Sequence, residues 1–326
     1  MKKHLIAAAV AGALAVPAMA QVKLSGYVEA GITSVKTDGE SLTTVNQFVG
    51  TPTLTISGSE DLGGGLKAGF KLAQEFSVAT GAETASGSNF EDASLSLSGG
   101  FGAIKLGRFN HAVRDNGGNY RFFGDIGRID SEFRGINKET ERTLQYSTPS
   151  FGGLVAHVGY SNDGGKDAAS ATPHTTSFGL FYKAGAINVG AGFTERDTDA
   201  VRNEKVTTVG GSYNLGMAKV GLIYGERKTT SGEERDLMGV HLAVPLGSGM
   251  TVGGNYTKYD SDIADSGATV YAIAFKKDLS KRTAIVAAYV SVDADANGGG
   301  FDPASLVGSS NDETNSGFGL AVTHKF

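Results

Sequence analysis

A glycine-rich stretch, GSEDLGGGLKAGFKL at residues 58–72, is the first place where the chain could bind a nucleotide. A phosphate-binding loop ends in Gly-Lys-Ser/Thr, and a dinucleotide fingerprint needs G-x-G-x-x-G at the start of a helix. Here alanine follows Lys67, and Gly63, Gly65 and Gly69 fit neither spacing. The two acids beside the glycines would also repel a phosphate. Nucleotide binding is therefore disfavoured, and no cofactor is expected.

Metal sites are equally poorly supported by the residue spacing. The segment DADANGGG, from Asp293, begins like a calcium loop, but its twelfth position is Ala304 where an acidic ligand is required. A solvated loop is the favoured interpretation of residues 293–304. Histidines are scattered, without the i, i+4 spacing of a helical zinc motif, at His111, His157, His174, His241 and His324. The chain has no cysteine, which excludes thiolate ligands and nucleophiles.

The first twenty residues, MKKHLIAAAVAGALAVPAMA, have the pattern of a secretory signal peptide. Two lysines precede a short apolar run, and Ala18-Met19-Ala20 is a small-x-small cleavage site. We expect cleavage between Ala20 and Gln21, leaving residues 21–326 as a single mature domain. The mature chain then carries 27 basic and 34 acidic residues, a net charge of −7. That balance argues against a nucleic-acid partner.

On both sides of the three glycines at residues 63–65, apolar and polar residues alternate with a period of two. Leu54 and Ile56 precede it, and Leu66, Ala68 and Phe70 follow it. Alternation of this kind bounded by glycine is the pattern of a β-hairpin. The glycines are therefore predicted to form a turn between two strands.

The same pattern recurs to the end of the chain and gives sixteen candidate strands, from residues 22–32 to residues 317–326. Short turns alternate with long polar stretches, and each strand has about the 9–11 residues that a membrane-crossing β-strand needs. No apolar run after the leader approaches a transmembrane helix. The sequence thus predicts an all-β protein, a transmembrane antiparallel up-and-down β-barrel of 16 strands. A soluble β-sandwich or β-helix is the competing fold, but the modest apolar face fits it less well.

Five motifs carry a resemblance to a known family: GSEDLGGGLKAGFKL, LSLSGGFGAIKLGR, YSTPSFGGL, DLSKRT and the ending GLAVTHKF. In this order they resemble the Gram-negative general porins of the neisserial and betaproteobacterial type, over the whole mature chain. The resemblance implies a homotrimer in the cell outer membrane, in contact with lipid and lipopolysaccharide, that lets small hydrophilic solutes diffuse passively. It also implies that the barrel-assembly machinery recognises the C-terminal Phe326.

The family further implies that the third long loop, residues 110–139, folds into the lumen and narrows it. This loop is the longest gap between predicted strands, and long loops without secondary structure are usually functional. Its charged residues are the candidates for the constriction: Arg114, Asp115, Arg121, Asp125, Arg128, Asp130, Glu132 and Arg134.

The pore wall is predicted from the strand faces opposite leucine, isoleucine and valine. The candidates are Lys67, Lys71, Lys105, Arg108 and Asp92. Lys71 and Arg108 are expected to face Asp125, Asp130 or Glu132 across the pore, although strict alternation turns Arg108 outward unless its strand ends there. Because the wall is net basic, a weak preference for anions is expected.

Two other functions stay open on the sequence alone. A substrate-specific channel would have a saturable solute site. An outer-membrane hydrolase would need a nucleophile beside a histidine base, and no G-x-S-x-G motif is present. The sequence therefore favours a channel and not an enzyme.

Overall fold

The computed structural model describes residues 21–37, 40–83, 90–116, 119–127, 139–162, 174–197, 203–230, 232–295 and 314–326. The predicted signal peptide, residues 1–20, lies outside these ranges, and its cleavage stays a prediction.

The described residues form seventeen strand segments and one helical turn. The segments are β1 (Gln21–Thr37), β2 (Glu40–Asn46), β3 (Thr53–Gly63), β4 (Leu66–Glu75), β5 (Asp92–Gly99), β6 (Gly102–Asn110), α1 (Ala112–Asn116), β7 (Glu139–Ser147), β8 (Leu154–Asn162), β9 (His174–Ala184), β10 (Ile187–Asp197), β11 (Glu204–Asn214), β12 (Lys219–Thr229), β13 (Glu234–Gly247), β14 (Met250–Ser261), β15 (Ala268–Asp278), β16 (Thr283–Ala294) and β17 (Thr314–Lys325).

Every strand pairs antiparallel with its neighbours, and the sheet closes on itself. One edge of β1 pairs with β17. The other edge pairs with β3 along residues 21–27 and with β2 along residues 31–37. Segments β2 and β3 therefore share one position in the wall, and the seventeen segments make a closed barrel of sixteen strands. The ends are joined at Phe326, whose N–H donates to Gly26 O at 3.1 Å. The predicted fold is confirmed.

The outer face of the wall is apolar and the inner face is polar, which is the reverse of the arrangement in a soluble protein. Large apolar side chains such as Leu95, Leu222 and Met238 point outward and are well exposed. The inward face carries buried polar residues such as Thr194 and Thr208. An apolar outer band around a polar lumen suits a barrel in lipid, where the closed ladder pairs the backbone groups of neighbouring strands. Among the described residues no helix is long and apolar enough to cross a membrane.

Short connections lie at one end of the barrel and long connections at the other. At the short end, Gly63, Gly64 and Gly65 all have positive φ, at 80°, 61° and 82°. A side chain would strain these conformations, which explains the run of glycines. The glycine-rich stretch is thus a tight turn between β3 and β4, and the hairpin interpretation is confirmed.

Candidate pore constriction

The longest connection in the chain joins β6 to β7. Strand β6 ends at Asn110 and β7 begins at Glu139, the bounds expected from the sequence. The structure describes residues 111–116 and 119–127 of this loop, which we call the inner segment. Four of the predicted constriction residues lie outside the described residues and stay predictions: Arg128, Asp130, Glu132 and Arg134.

The first half of the inner segment lies against the wall formed by β9, β10 and β11. His111 Nδ1 lies 3.1 Å from Thr194 Oγ1 of β10. Asn116 Nδ2 donates to Thr208 Oγ1 of β11 at 3.2 Å. Both threonines belong to the inward face, so these contacts hold α1 inside the barrel.

The second half of the inner segment continues along the same wall. The Tyr120 ring lies 5.3 Å from the His241 ring of β13, centroid to centroid. Asn255 Nδ2 of β14 donates to Ile126 O at 2.9 Å. The inner segment therefore crosses the inward face from β9 to β14.

A set of inward-facing glycines makes room for this path. We call them the glycine track: Gly179, Gly190, Gly192, Gly210, Gly221 and Gly253. A Cβ at Gly221 would lie 2.4 Å from Tyr120 O, and one at Gly192 would lie 2.8 Å from Ala112 O. Both contacts are with backbone atoms, which cannot rotate away as a flexible side chain can. The glycines thus let the inner segment approach the wall more closely than any side chain would allow.

Glu29 of β1 anchors the far end of the inner segment through the break between β2 and β3. Its buried carboxylate accepts the N–H groups of Phe48 at 2.6 Å, Val49 at 2.8 Å and Gly50 at 2.9 Å. It also accepts the hydroxyl of Tyr27 at 2.6 Å. The next link joins the two chain segments, since Asp125 N–H donates to Val49 O at 2.8 Å. One carboxylate therefore fixes the segment on which the loop rests.

Opposite the glycine track, the wall of β4, β5 and β6 carries the predicted basic residues. Lys71 Nζ and Lys105 Nζ both contact Asp92 Oδ2, at 3.1 and 3.3 Å. The Lys71 side chain is 48% exposed, whereas that of Asp92 is 13% exposed. This trio, which we call the basic wall, has a net charge of +1 and presents its lysines to the lumen. Lys67 is exposed nearer the short end of the barrel, opposite Ser98 in the register.

Among the described residues Arg108 pairs with acids at the start of β7, while Asp130 and Glu132, two of its expected partners, lie outside the described residues. Its guanidinium contacts Glu139 at 3.1 Å and Glu141 at 2.8 Å, and its Nε donates to Phe90 O at 3.1 Å. The register of β6 and β7 is irregular between Gly107 and Phe109. This irregularity brings the carboxylates at the start of β7 within reach of the guanidinium. Arg108 thus joins β6 to β7 at the base of the loop through ion pairs.

The charges of the inner segment are largely paired within the loop or with its base. Arg121 contacts Asp125 at 3.1 Å, and Arg114 contacts Glu91 at 2.7 Å and Glu139 at 2.6 Å. Such pairs hold the loop in shape but leave little net charge on it.

Of the two acids in the described part of the inner segment, Asp125 is half-buried and Asp115 is exposed to the lumen. The surrounding barrel raises its pKa to about 6, because desolvation outweighs the opposing effect of Lys105 and Arg114. A carboxyl group with this pKa is mostly ionised at pH 7.

Two parts of the site, the Glu29 anchor and the glycine track, have no clear signal in the sequence. Alternation places Glu29 on the inward face of its strand but does not identify its partners. The glycines are visible as a high count of 48, but their role depends on which stretch of chain lies above each one. That information is not contained in a period-two pattern.

A closed sixteen-stranded barrel with an apolar exterior and a polar lumen, crossed by an inserted loop, defines a membrane channel of the porin class. The chain belongs to the Gram-negative porin family, whose family model matches residues 7–297. It is an outer-membrane porin, a passive channel.

Individual relatives agree with this assignment. Outer membrane porin protein 32 of Delftia acidovorans is 33% identical over 313 residues, covering 87% of this chain and 88% of that protein. The major outer membrane protein P.IB of Neisseria meningitidis serogroup A is 35% identical over 223 residues, covering 63% and 64%. The structure of the anion-selective porin from Comamonas acidovorans superposes with a TM-score of 0.84 at 27% identity, covering 94% of this chain and 100% of that one.

Proposed function

We propose that the narrowest part of the channel lies between the inner segment and the basic wall, and that small hydrophilic solutes and ions cross it with a weak preference for anions. The exposed Lys71 and the half-buried Lys105 share the carboxylate of Asp92, and this pair of lysines is the observation that carries the proposal. The inner segment adds little net charge because Arg121 and Asp125 pair with each other.

The physical basis of the preference is a local field and not the charge of the whole chain. The net charge of the chain is −5, but charges more than about 8 Å away are screened at about 0.15 M salt. A permeating ion therefore responds to the few unscreened groups at the constriction. Two lysines against Asp92 favour anions, and the exposed carboxylate of Asp115 near Lys105 keeps this preference weak. The similar porin from Comamonas acidovorans is anion-selective, which supports the sign.

We further propose that the chain functions as a homotrimer in contact with outer-membrane lipid and lipopolysaccharide. One matched structure is a trimer form of the outer membrane protein OmpT of Vibrio cholerae. At 13% identity, this match supports only the shared fold. We also propose that the assembly machinery recognises Phe326, and that the channel has no catalytic activity. The polar lumen lets solutes pass with their hydration, and the solute gradient supplies the driving force.

Recording from a planar bilayer tests channel formation directly. Purified protein should give long-lived, nearly ohmic current steps, because the inner segment is held by hydrogen bonds at both ends. If the homotrimer is correct, closures at high voltage should occur in three equal sublevels per insertion event. A folded, membrane-inserted protein that leaves the bilayer insulating would contradict the function, and single-level closures would contradict the trimer.

A further inference from the structure

A cleft of about 380 Å³ lies between the inner segment and the short-turn end of the barrel. We call it the basic cleft. It is outside the basic wall, on the side of the lumen formed by β15, β16, β17 and β1. Its volume is within the range of cavities that hold small molecules, about 300–1,000 Å³. Neither the diffusion function nor the basic wall requires a cleft at this position.

One half of the basic cleft is cationic. Lys276, Lys281, Arg282 and Lys325 line it, and Asp278 is the acid among its described lining residues. Asp278 is already paired with Lys276, whose Nζ lies 2.9 Å from Asp278 Oδ1. The cleft therefore has a surplus of positive charge.

The other half of the basic cleft is apolar and aromatic. It consists of Phe122 and Phe123 of the inner segment together with Val49. Tyr27 and Val286 also line the cleft, but they lie beside Lys325 and Lys276 in the strand register. Phe122 is held in place by Lys219, whose Nζ lies 4.5 Å from the centroid of its ring. An aromatic surface facing a cationic one suits a ligand that has a flat apolar body and one negative group.

Hydrogen bonds also fix the backbone of the turn that carries two of these cations. In the turn that carries Lys281 and Arg282, Leu279 N–H donates to Thr283 O at 2.9 Å, and Arg282 N–H donates to Ser280 Oγ at 3.1 Å. Lys325 N–H then donates to Arg282 O at 2.8 Å, which fastens the turn to the last strand. A preorganised site loses less entropy on binding than a mobile one.

We propose that the basic cleft is a binding site for a small aromatic carboxylate, which pauses there as it crosses the channel. The carboxylate would lie toward Lys281 and Arg282, and the ring would lie toward Phe122 and Phe123. This inference rests on the proposed channel function and makes the porin selective for one class of solute. For a ligand of this size in an open cleft, half-saturation in the millimolar range, about 1–10 mM, is expected.

Single-channel recording with benzoate as the probe tests this site. Benzoate added on the short-turn side should reduce the current saturably at about 0.1 M salt and much less at about 1 M, where the Debye length is about 3 Å. Benzamide, which lacks the charge, and acetate, which lacks the ring, should each block at least several-fold less. A current that benzoate leaves unchanged would overturn the site while leaving the channel function intact, whereas the absence of any current would contradict the channel itself.

Matched variants locate the site. The double variant Lys281→Gln/Arg282→Gln should weaken the benzoate block at least fivefold. The double variant Lys23→Gln/Lys183→Gln changes the net charge equally at the same end of the barrel but outside the cleft, and should keep the wild-type block. Phe122→Leu should weaken the benzoate block and leave the weak acetate effect unchanged. Equal loss of block in both double variants would show a general charge effect and overturn the proposal.

Discussion

Replacing Gly221 with alanine should lower the single-channel conductance. The new Cβ would lie 2.4 Å from Tyr120 O, whereas ordinary van der Waals contact begins near 3.4 Å. The inner segment must therefore retreat by about 1 Å from the wall, and the space in which it can move is the pore. The measurement is the conductance in a planar bilayer, together with its fluctuation, which should increase.

Gly100→Ala is the matched control for this experiment. Gly100 lies in the turn between β5 and β6, with no atom within 4 Å of the position that a Cβ would occupy. Its alanine variant should have the wild-type conductance. A Gly221→Ala channel that conducts as the wild type does would mean that the inner segment does not border the narrowest part of the pore.

Replacing Glu29 with glutamine should make the open channel noisy and should lower the voltage at which it closes. The carboxylate accepts three backbone N–H groups and the Tyr27 hydroxyl, and an amide has only one acceptor oxygen. Each charge-assisted bond contributes about 1.5–3 kcal/mol. In the glutamine variant one oxygen can still accept the N–H groups of Phe48 and Val49, as Oε1 does, but an amide NH2 replaces the acceptor of Gly50 N–H and of the Tyr27 hydroxyl. The loss of these two bonds loosens residues 48–50 and, through Val49 O, the end of the inner segment.

Tyr27→Phe should have a smaller effect, because it removes only one of the four hydrogen bonds to Glu29 and keeps the three from the backbone. Its channel should be nearly as quiet as the wild type. Folding can be checked separately by the heat stability of the barrel, since both variants keep all strand pairings. An anchor role for Glu29 is wrong if the Glu29→Gln channel shows wild-type noise and closing voltage.

The barrel wall was predictable from the sequence because its cause is local. Strand residues alternate faces, so lipid outside and water inside impose a period of two that the chain displays directly. The bounds of the long loop, between Asn110 and Glu139, followed from the same alternation. The interruption between β2 and β3 could not be predicted from alternation, because it depends on the carboxylate of Glu29, about twenty residues earlier in the chain.

The arrangement of the charges was less predictable than the wall. Lys71, Lys105 and Asp92 lie on one face, as alternation predicts, and their mutual contacts follow from strand neighbours. The contacts of Arg108 with Glu139 and Glu141 were not predicted, because an irregular register cannot be inferred from a residue pattern. Asp125 was expected to face the wall, and its pairing with Arg121, four residues earlier along the loop, was not predicted.

The reversal potential under a KCl gradient tests the central claim most directly. The wild-type channel should show a small potential of the sign that indicates anion preference, despite the acidic chain. Lys71→Glu places a carboxylate beside Asp92 at the basic wall and should shift the potential toward cation preference. Strong cation selectivity of the wild type, or an unchanged potential in the Lys71→Glu channel, would contradict a constriction between the inner segment and the basic wall.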